Sequence, residues 1–209
     1  MKRTLQISLV FLVLGMIASA DAQVTKIRQI DFKNFMYAWD DPPDDVPGTW
    51  HWITSSPQSR IRISKGIHHF YAQAQDEYER EHAPSVSVDS VTYGDLVGDR
   101  GEEAVVYLNY STGGTANWGY LYVYGLKNDR PALLARMETG SRADGGLVKV
   151  SVQNGSLVVD FADKDRRVGD CCSEGYIRVR YRWQKGEFIE IGTRERGDLE
   201  LHKGPPTVR

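Results

Sequence analysis

The sequence predicts a mainly β protein, an antiparallel meander of about seven to nine strands with one short helix. Three observations carry this. Two stretches, Gly119 to Leu126 and Tyr176 to Trp183, alternate with the period-2 rhythm of a strand. Gln153-Asn154-Gly155 joins two runs of β-formers through Asn-Gly, the strongest short hairpin signal. The β-rich runs also follow one another through short links, which favours antiparallel neighbours in a sandwich, roll or open barrel.

The first 22 residues read as a signal peptide. Lys2 and Arg3 precede an apolar run from Leu5 to Ile17, and small residues follow at Ala18-Ser19-Ala20 and Ala20-Asp21-Ala22. Cleavage is expected after Ala20 or Ala22. The run falls short of the roughly 20 apolar residues that span hydrocarbon, so no stable membrane insertion is expected after cleavage. The mature protein should be secreted or periplasmic. Without Lys2 and Arg3, 24 basic residues face 28 acidic ones, a net of −4. That balance speaks against a nucleic-acid partner, which selects a basic excess. About 185 residues remain, the length of one domain, read here as a single β-rich domain over 23–202 with a disordered tail over 203–209. At 41% hydrophobic and 11% aromatic, the chain can fill a core.

In the N-terminal third, Ile27 to Phe35 and Trp50 to Ile53 read as short strands around the acidic stretch Asp40-Asp41-Pro42-Pro43-Asp44-Asp45. Arg60 to Ser64 alternates as a strand, and Ala72 to His82 holds good helix formers before Pro84. Strands are expected at Ser85 to Tyr93, Ala104 to Tyr110, Gly119 to Leu126 (Tyr120, Tyr122 and Tyr124 on one face), Ala132 to Glu138, Leu147 to Val152, Leu157 to Phe161, Tyr176 to Trp183 and Glu187 to Ile191. Tight turns at 127–131, 153–155 and 184–186 should share one end of the fold. The longer loops 111–118, 139–146 and 162–175 should share the other, the default place for a site.

Cys171 and Cys172 are the only cysteines, and they are adjacent. An exported protein meets an oxidising compartment. Adjacent α-carbons lie about 3.8 Å apart, below the roughly 4.4–6.8 Å of ordinary disulfides, so a vicinal bridge requires a distorted ring. Free thiols and an intermolecular bridge are the alternatives. A dithiol-exchange enzyme would more commonly use Cys-x-x-Cys.

Other groups in the loop cluster are candidates for binding. Asn117, Trp118, Arg142 and Asp144 would suit a glycan or a small anionic ligand; equally, Trp118 could close the core and Arg142 could pair with Asp144. Asp95, Asp99 and Glu103 occupy alternating positions of a Gly-bearing loop that would suit Ca²⁺, although Val97 and Arg100 depart from such a loop and an acidic turn is favoured. No other cofactor is expected. Arg178, Arg180 and Arg182 read as the wet face of a strand, balanced by Glu187 and Glu190 across the hairpin. The five histidines show no metal-ligand spacing, and no catalytic motif is present.

Tyr93-Gly94-Asp95-Leu96 with Gly98-Asp99 and Glu103-Ala104-Val105-Val106, and Gly169-Asp170-Cys171-Cys172 with Arg180-Tyr181-Arg182-Trp183, are similar to segments of exported bacterial β-domain proteins. Among named groups they most resemble the mycobacterial LppP/LprE-type lipoproteins. The resemblance spans about residues 85–190 and implies an envelope-associated β domain, with no catalytic residue carried over. This chain departs in lacking a cysteine near the cleavage point. The first segment also resembles calcium-bearing propeller repeats, in a single copy. The function expected is a non-enzymatic binding or envelope-structural module; the alternative is a thiol-dependent redox protein or a hydrolase using Asp144 or Asp170.

Overall fold

Residues 26–39, 50, 52–55, 59–70, 78, 82–141, 144–168 and 172–199 are described by the computed structural model of the chain. The expected signal peptide and tail lie outside them, as does most of the helix expected over 72–82. Two sheets dominate. The first has five strands in meander order: β3 (Ile67–His69), β4 (Ser85–Gly94), β5 (Glu103–Ser111), β6 (Asn117–Lys127) and β7 (Arg130–Gly140). The second has four, ordered β13 (Glu187–Asp198), β12 (Gly175–Gln184), β9 (Ser156–Ala162) and β8 (Leu147–Gln153). These nine strands are the predicted antiparallel meander, folded as a sandwich. Two small ribbons accompany them: β1 (Met36–Ala38) with β2 (Arg60–Arg62), and β10 (Arg167–Val168) with β11 (Cys172–Ser173).

Turn chemistry sets the ends. At Asn128-Asp129, Asn154-Gly155 and Lys185-Gly186 both central residues have positive φ, the type I′ geometry that matches the twist of a two-residue hairpin. The chain reverses at every link, so these three turns share one end of the sandwich, together with the loop 95–102. At that end Gly94 lies so close to Val152 that an added Cβ would come within 2.6 Å of it. The loops 112–116, 141–146 and 163–174 share the opposite end.

The five-stranded sheet is buried on both faces. Leu121, Val123, Val105 and Met137 face Leu157, Val159, Phe161, Val179 and Tyr181 of the second sheet, forming the sandwich core. On the other face lie Val86, Leu108, Tyr120, Tyr122 and Tyr124, and the N-terminal segment roofs them with Phe32, Tyr37, Trp39, Ile61 and Ile63. The roof has a register. Phe35 meets Tyr124 edge-on with ring centroids 5.2 Å apart, Tyr37 meets Tyr122 at 5.8 Å, and Trp39 meets Tyr120 at 5.0 Å. Alternate residues of one strand thus face alternate residues of another, running antiparallel. Tyr122 Oη donates to Ala38 O at 2.8 Å and Tyr37 Oη to Phe32 O at 2.7 Å, which satisfies two of the buried hydroxyls.

The roof corrects the reading of Ile27 to Phe35 as a strand. Asp31 instead caps a 3₁₀ turn at Phe32–Asn34, accepting from Lys33 N at 3.0 Å, and extended structure begins only at Met36. From the roof the chain passes round the edge of β7. Ile53 pairs with Arg136 through two backbone hydrogen bonds, 2.8 and 2.9 Å, so that edge is covered. Trp50 stacks on Phe161 at 4.1 Å, and Trp52 lies against Phe188 at 4.6 Å, inside the sandwich. The long outer strand β13 carries Glu187, Glu190, Arg194, Glu195 and Arg196, charges that discourage edge-to-edge pairing.

If the roof holds the sheet, Tyr37→Ala should destabilise the protein by about 3–5 kcal/mol, as large aromatic truncations in cores do. Val148→Ala, at a half-exposed strand position, should stay within about 0.5 kcal/mol. Urea denaturation of both variants against the parent protein measures this.

Candidate functional site

At the long-loop end each predicted residue has a definite place. Asn117 opens β6 opposite Ser111, and its Nδ2 donates to Thr115 O at 3.3 Å. Trp118 pairs across the ladder with Tyr110 and is half-buried against the outer aromatic cluster, 6.2 Å from the Tyr110 ring. Asp144 forms an ion pair with Arg167, 3.2 Å away. Arg142 lies outside the described residues. Gly145 is held from above, where the Trp50 indole donates to its carbonyl at 3.0 Å. With φ at +74° and that indole 2.8 Å from where a Cβ would sit, this position requires glycine.

The loop bearing the cysteines is clamped by groups the sequence reading did not single out. Asp163 is fully buried and pairs with Arg196 at 3.1 Å, and Arg196 also reaches Asp165 at 2.8 Å. Ser173 Oγ, also buried, lies 2.7 Å from Asp163 O and 2.9 Å from Gly175 O. Cys172 stands opposite Val168 in the β10–β11 ribbon; Cys171 and Asp170 lie outside the described residues. The charges of Asp163 and Arg196 are 33 residues apart in sequence, so only the register of β12 and β13 brings them together.

The arginine ladder is solvated, but its partners differ from those expected. Arg178 makes a two-pronged pair with Asp160 on β9, at 2.7 and 2.9 Å. Arg180 pairs with Glu195 at 3.3 Å. Glu190 instead stands opposite Tyr181 and binds Arg194 at 2.8 Å, while Glu187 stands opposite Gln184. The two-residue turn sets a register that puts neither Glu187 nor Glu190 opposite an arginine, and the bulge between Arg178 and Arg180 then brings Glu195 opposite Arg178.

At the tight-turn end the three acidic candidates cap their own loop. Asp95 accepts from Gly98 N at 2.7 Å and Arg100 N at 3.2 Å, and Asp99 accepts from Gly101 N at 2.7 Å. Glu103, 3% exposed, accepts from Leu96 N at 2.7 Å and Val97 N at 3.2 Å. The neighbouring Glu102 binds Arg28, which stacks 4.7 Å from the Tyr93 ring and ties the roof to this loop. Among the described residues, no three His, Cys, Asp or Glu side chains gather as a metal would require.

Among the described residues, a concave feature lies elsewhere, near the long-loop end. A cleft with a cavity volume of about 100 Å³ opens where the roof meets the β7 edge. Tyr120 and Tyr122 of β6 and Arg136 and Glu138 of β7 line it from the sheet, and Trp39 and Ile53 line it from the covering segments. Tyr122 is the register partner of Arg136, and Tyr120 of Glu138, so all four point to the roofed face. Trp39 and Tyr120 are 2% and 6% exposed, and neither Trp39 Nε1 nor Tyr120 Oη has a hydrogen-bond partner. Burial, then the Glu138 carboxylate, raises the Tyr120 phenol above its ordinary range, while Arg136 acts the other way. Tyr120 is therefore a neutral O–H, and its Oη, like Trp39 Nε1, is closed to solvent and does not open on the cleft. Trp118 adjoins the cleft through Tyr110, whose ring is 6.1 Å from Trp39.

Comparison of the chain with protein-family models, curated proteins and solved structures finds no match.

Glu103 makes a pH test. Burial pushes its carboxyl up to about 7 from an ordinary 4.5, with Asp99 and Asp95 adding and the two amide hydrogen bonds opposing. The folded state therefore holds the proton more tightly than the unfolded chain. This contribution to stability is full below about pH 4.5 and is lost as pH rises through 7. The stability difference between the parent protein and Glu103→Gln should accordingly drift by about 3 kcal/mol in favour of the variant between pH 4 and pH 8. Denaturation series at both ends of that range measure it, and a constant difference would contradict the assignment.

Proposed function

We propose that this chain is an exported, non-catalytic binding module whose ligand occupies the cleft between Trp39, Tyr120, Arg136 and Glu138. The observation that carries the reading is a concave, aromatic-walled surface with one cation and one carboxylate in its lining, Arg136 and Glu138. Ligand sites commonly combine aromatic walls with a few converging polar groups. The sequence of residues 1–22 supports export. The cleft reaches to within three residues of the β6 start, at Tyr120, and two of the β7 end, at Glu138, at the same end as the loops expected to hold the site. Asp144, offered above as a catalytic carboxylate, is engaged by Arg167, which favours binding over hydrolysis.

The cysteine pair fits the same picture as a loop stiffener. We read Cys171 and Cys172 as joined to each other, on their adjacency and the expected oxidising compartment. Mass spectrometry of the mature protein should then show a gain of two hydrogens on reduction, with no change in assembly mass. An intermolecular bridge would dissociate on reduction, and free thiols would leave the mass unchanged.

The binding reading is tested by melting the mature protein against a panel of amino acids, short carboxylates and monosaccharides. At a ligand concentration near 100 times Kd, the stabilisation should reach about 2.7 kcal/mol, several degrees for a chain of this size. Glu138→Ala should lose the shift. A panel in which no compound moves the melting point would overturn the reading.

A further inference from the structure

We propose that the outer surface of the roof docks on an anionic lipid bilayer, with unpaired cations at the headgroups and exposed apolar side chains in the interface. This docking stands apart from the cleft and needs no ligand there. β1 and β2 pair with Tyr37 opposite Ile61, and both of these side chains are buried in the roofed core. Strand alternation turns the flanking residues outward: Met36 opposite Arg62, and Ala38 opposite Arg60. Two hydrogen bonds gather the next pair of cations at the Met36–Arg62 end of this ribbon. Lys65 N donates to Asn34 Oδ1 at 2.9 Å, and Gly66 N donates to Lys33 O at 2.8 Å. Ile67 follows at once.

Charge is the first ground. The roof segments 26–39 and 59–70 hold six basic residues and one acidic residue, Asp31. Taken from the 24 basic and 28 acidic residues of the expected mature chain, they leave 18 basic and 27 acidic residues elsewhere. The small net charge thus conceals a basic pole on an acidic body. Lys26 and Arg28 are paired, with Asp129 and Glu102. Lys33, Arg60, Arg62 and Lys65 are exposed, and none of the four has an ion pair among the described residues. On the second sheet, by contrast, Arg178 is matched by Asp160, Arg194 by Glu190 and Arg196 by Asp163. Uncompensated cations on one surface make a field that attracts an anionic one. The acidic body is repelled by the same surface, so the field also turns the roof towards it.

The apolar residues choose among anions. Met36 and Ile67 are 41% and 38% exposed and lie among the cations, Met36 directly opposite Arg62 and Ile67 two residues from Lys65. A soluble polyanion gains nothing from them. A bilayer interface takes apolar side chains and cations together. Each cation at an anionic leaflet strengthens binding about fivefold, so the set strengthens it several hundredfold. Export, the reading given to residues 1–22, would carry the chain across such a membrane. The contact is adsorption to the surface, not insertion.

The test is sedimentation of the full mature protein with vesicles of phosphatidylcholine, alone or mixed equally with phosphatidylglycerol. Binding should appear on the mixed vesicles and fall by about tenfold or more as salt rises from about 0.05 to about 0.5 M. Arg60→Gln with Arg62→Gln should weaken it about 25-fold. Met36→Ser with Ile67→Ser keeps every charge; it should weaken vesicle binding about tenfold or more and leave binding to heparin, a soluble polyanion, unchanged. Melting of both double variants should match the parent, since all four side chains are exposed. Lys149→Gln with Arg182→Gln, exposed cations of the second sheet, should bind as the parent does. An equal loss in that control would mean that net charge alone governs binding, overturning the inference. Vesicle binding indifferent to Met36 and Ile67, or binding to heparin without binding to mixed vesicles, would assign the surface to a soluble polyanion and overturn it. Binding gained only with Asp40→Asn, Asp41→Asn, Asp44→Asn and Asp45→Asn together would assign the surface to the chain's own acidic stretch and overturn it. So would the absence of salt-sensitive binding to mixed vesicles in every form. None of these results bears on the ligand panel for the cleft.

Discussion

The outer face of the five-stranded sheet is a row of tyrosines, and it cannot be left to water. Tyr120, Tyr122 and Tyr124 come from alternate positions of one strand, and each aromatic ring brings about 150–250 Å² of surface. Uncovered, the row would make an apolar patch of the size that drives association. Phe35, Tyr37 and Trp39 meet it rung by rung. Much else follows from that register. Once Trp39 stands over Tyr120, the chain is delivered to the β7 side of the sheet. It can cover that edge through Ile53 and send Trp50 and Trp52 into the sandwich core on the other face. Segments that look separate in sequence thus form one strap, joining the two cores around an edge that would otherwise be open.

The cleft belongs to the same arrangement. It lies at the last rung, where Trp39 and Tyr120 complete the aromatic roof and the next side chains on the sheet are Arg136 and Glu138. Further along the ladder, Tyr122 finds the Ala38 carbonyl and Tyr37 the Phe32 carbonyl. At the end of the roof the Trp39 indole and the Tyr120 hydroxyl have no such partner. The cleft is what remains where a packing motif stops.

Much of the scaffold was legible because its signals are local. The Asn154-Gly155 turn, the alternation of β6 and β12 and the Gly-rich long loops can each be read within a dozen residues. The roof was not, for two physical reasons. Both phases of β6 are apolar, so the period shows a strand but not which face meets which layer. Phe35, Tyr37 and Trp39 do alternate in the sequence, but the strand at their centre, Met36–Ala38, is only three residues long and follows a 3₁₀ turn, so propensity placed the strand earlier, at Ile27 to Phe35. The arginine partners failed for a similar reason. A bulge between Arg178 and Arg180 changes which carboxylate stands opposite, and only the folded ladder fixes it. Trp118, Asn117 and Asp144 were readable as loop residues with useful chemistry, but none of them lines the cleft. Trp39 and Tyr120 were not, because they look like core aromatics and they are core aromatics. What sets them apart is their place in the wall of a cleft beside Arg136 and Glu138, which no sequence pattern records.

The three tyrosines of β6 separate burial from function within one strand. All three phenols are buried and all lie on the roofed face. Tyr122 is satisfied by a backbone carbonyl, and Tyr124 is unpartnered beneath the rings of Phe32 and Phe35. Tyr120 lines a cleft, while its unpartnered hydroxyl is closed to solvent. Burial alone therefore does not mark a site, since Tyr124 shares it; the missing partner does not either, for the same reason. What distinguishes Tyr120 is its place in a cleft wall, with a neighbouring charge of each sign and room for a small molecule.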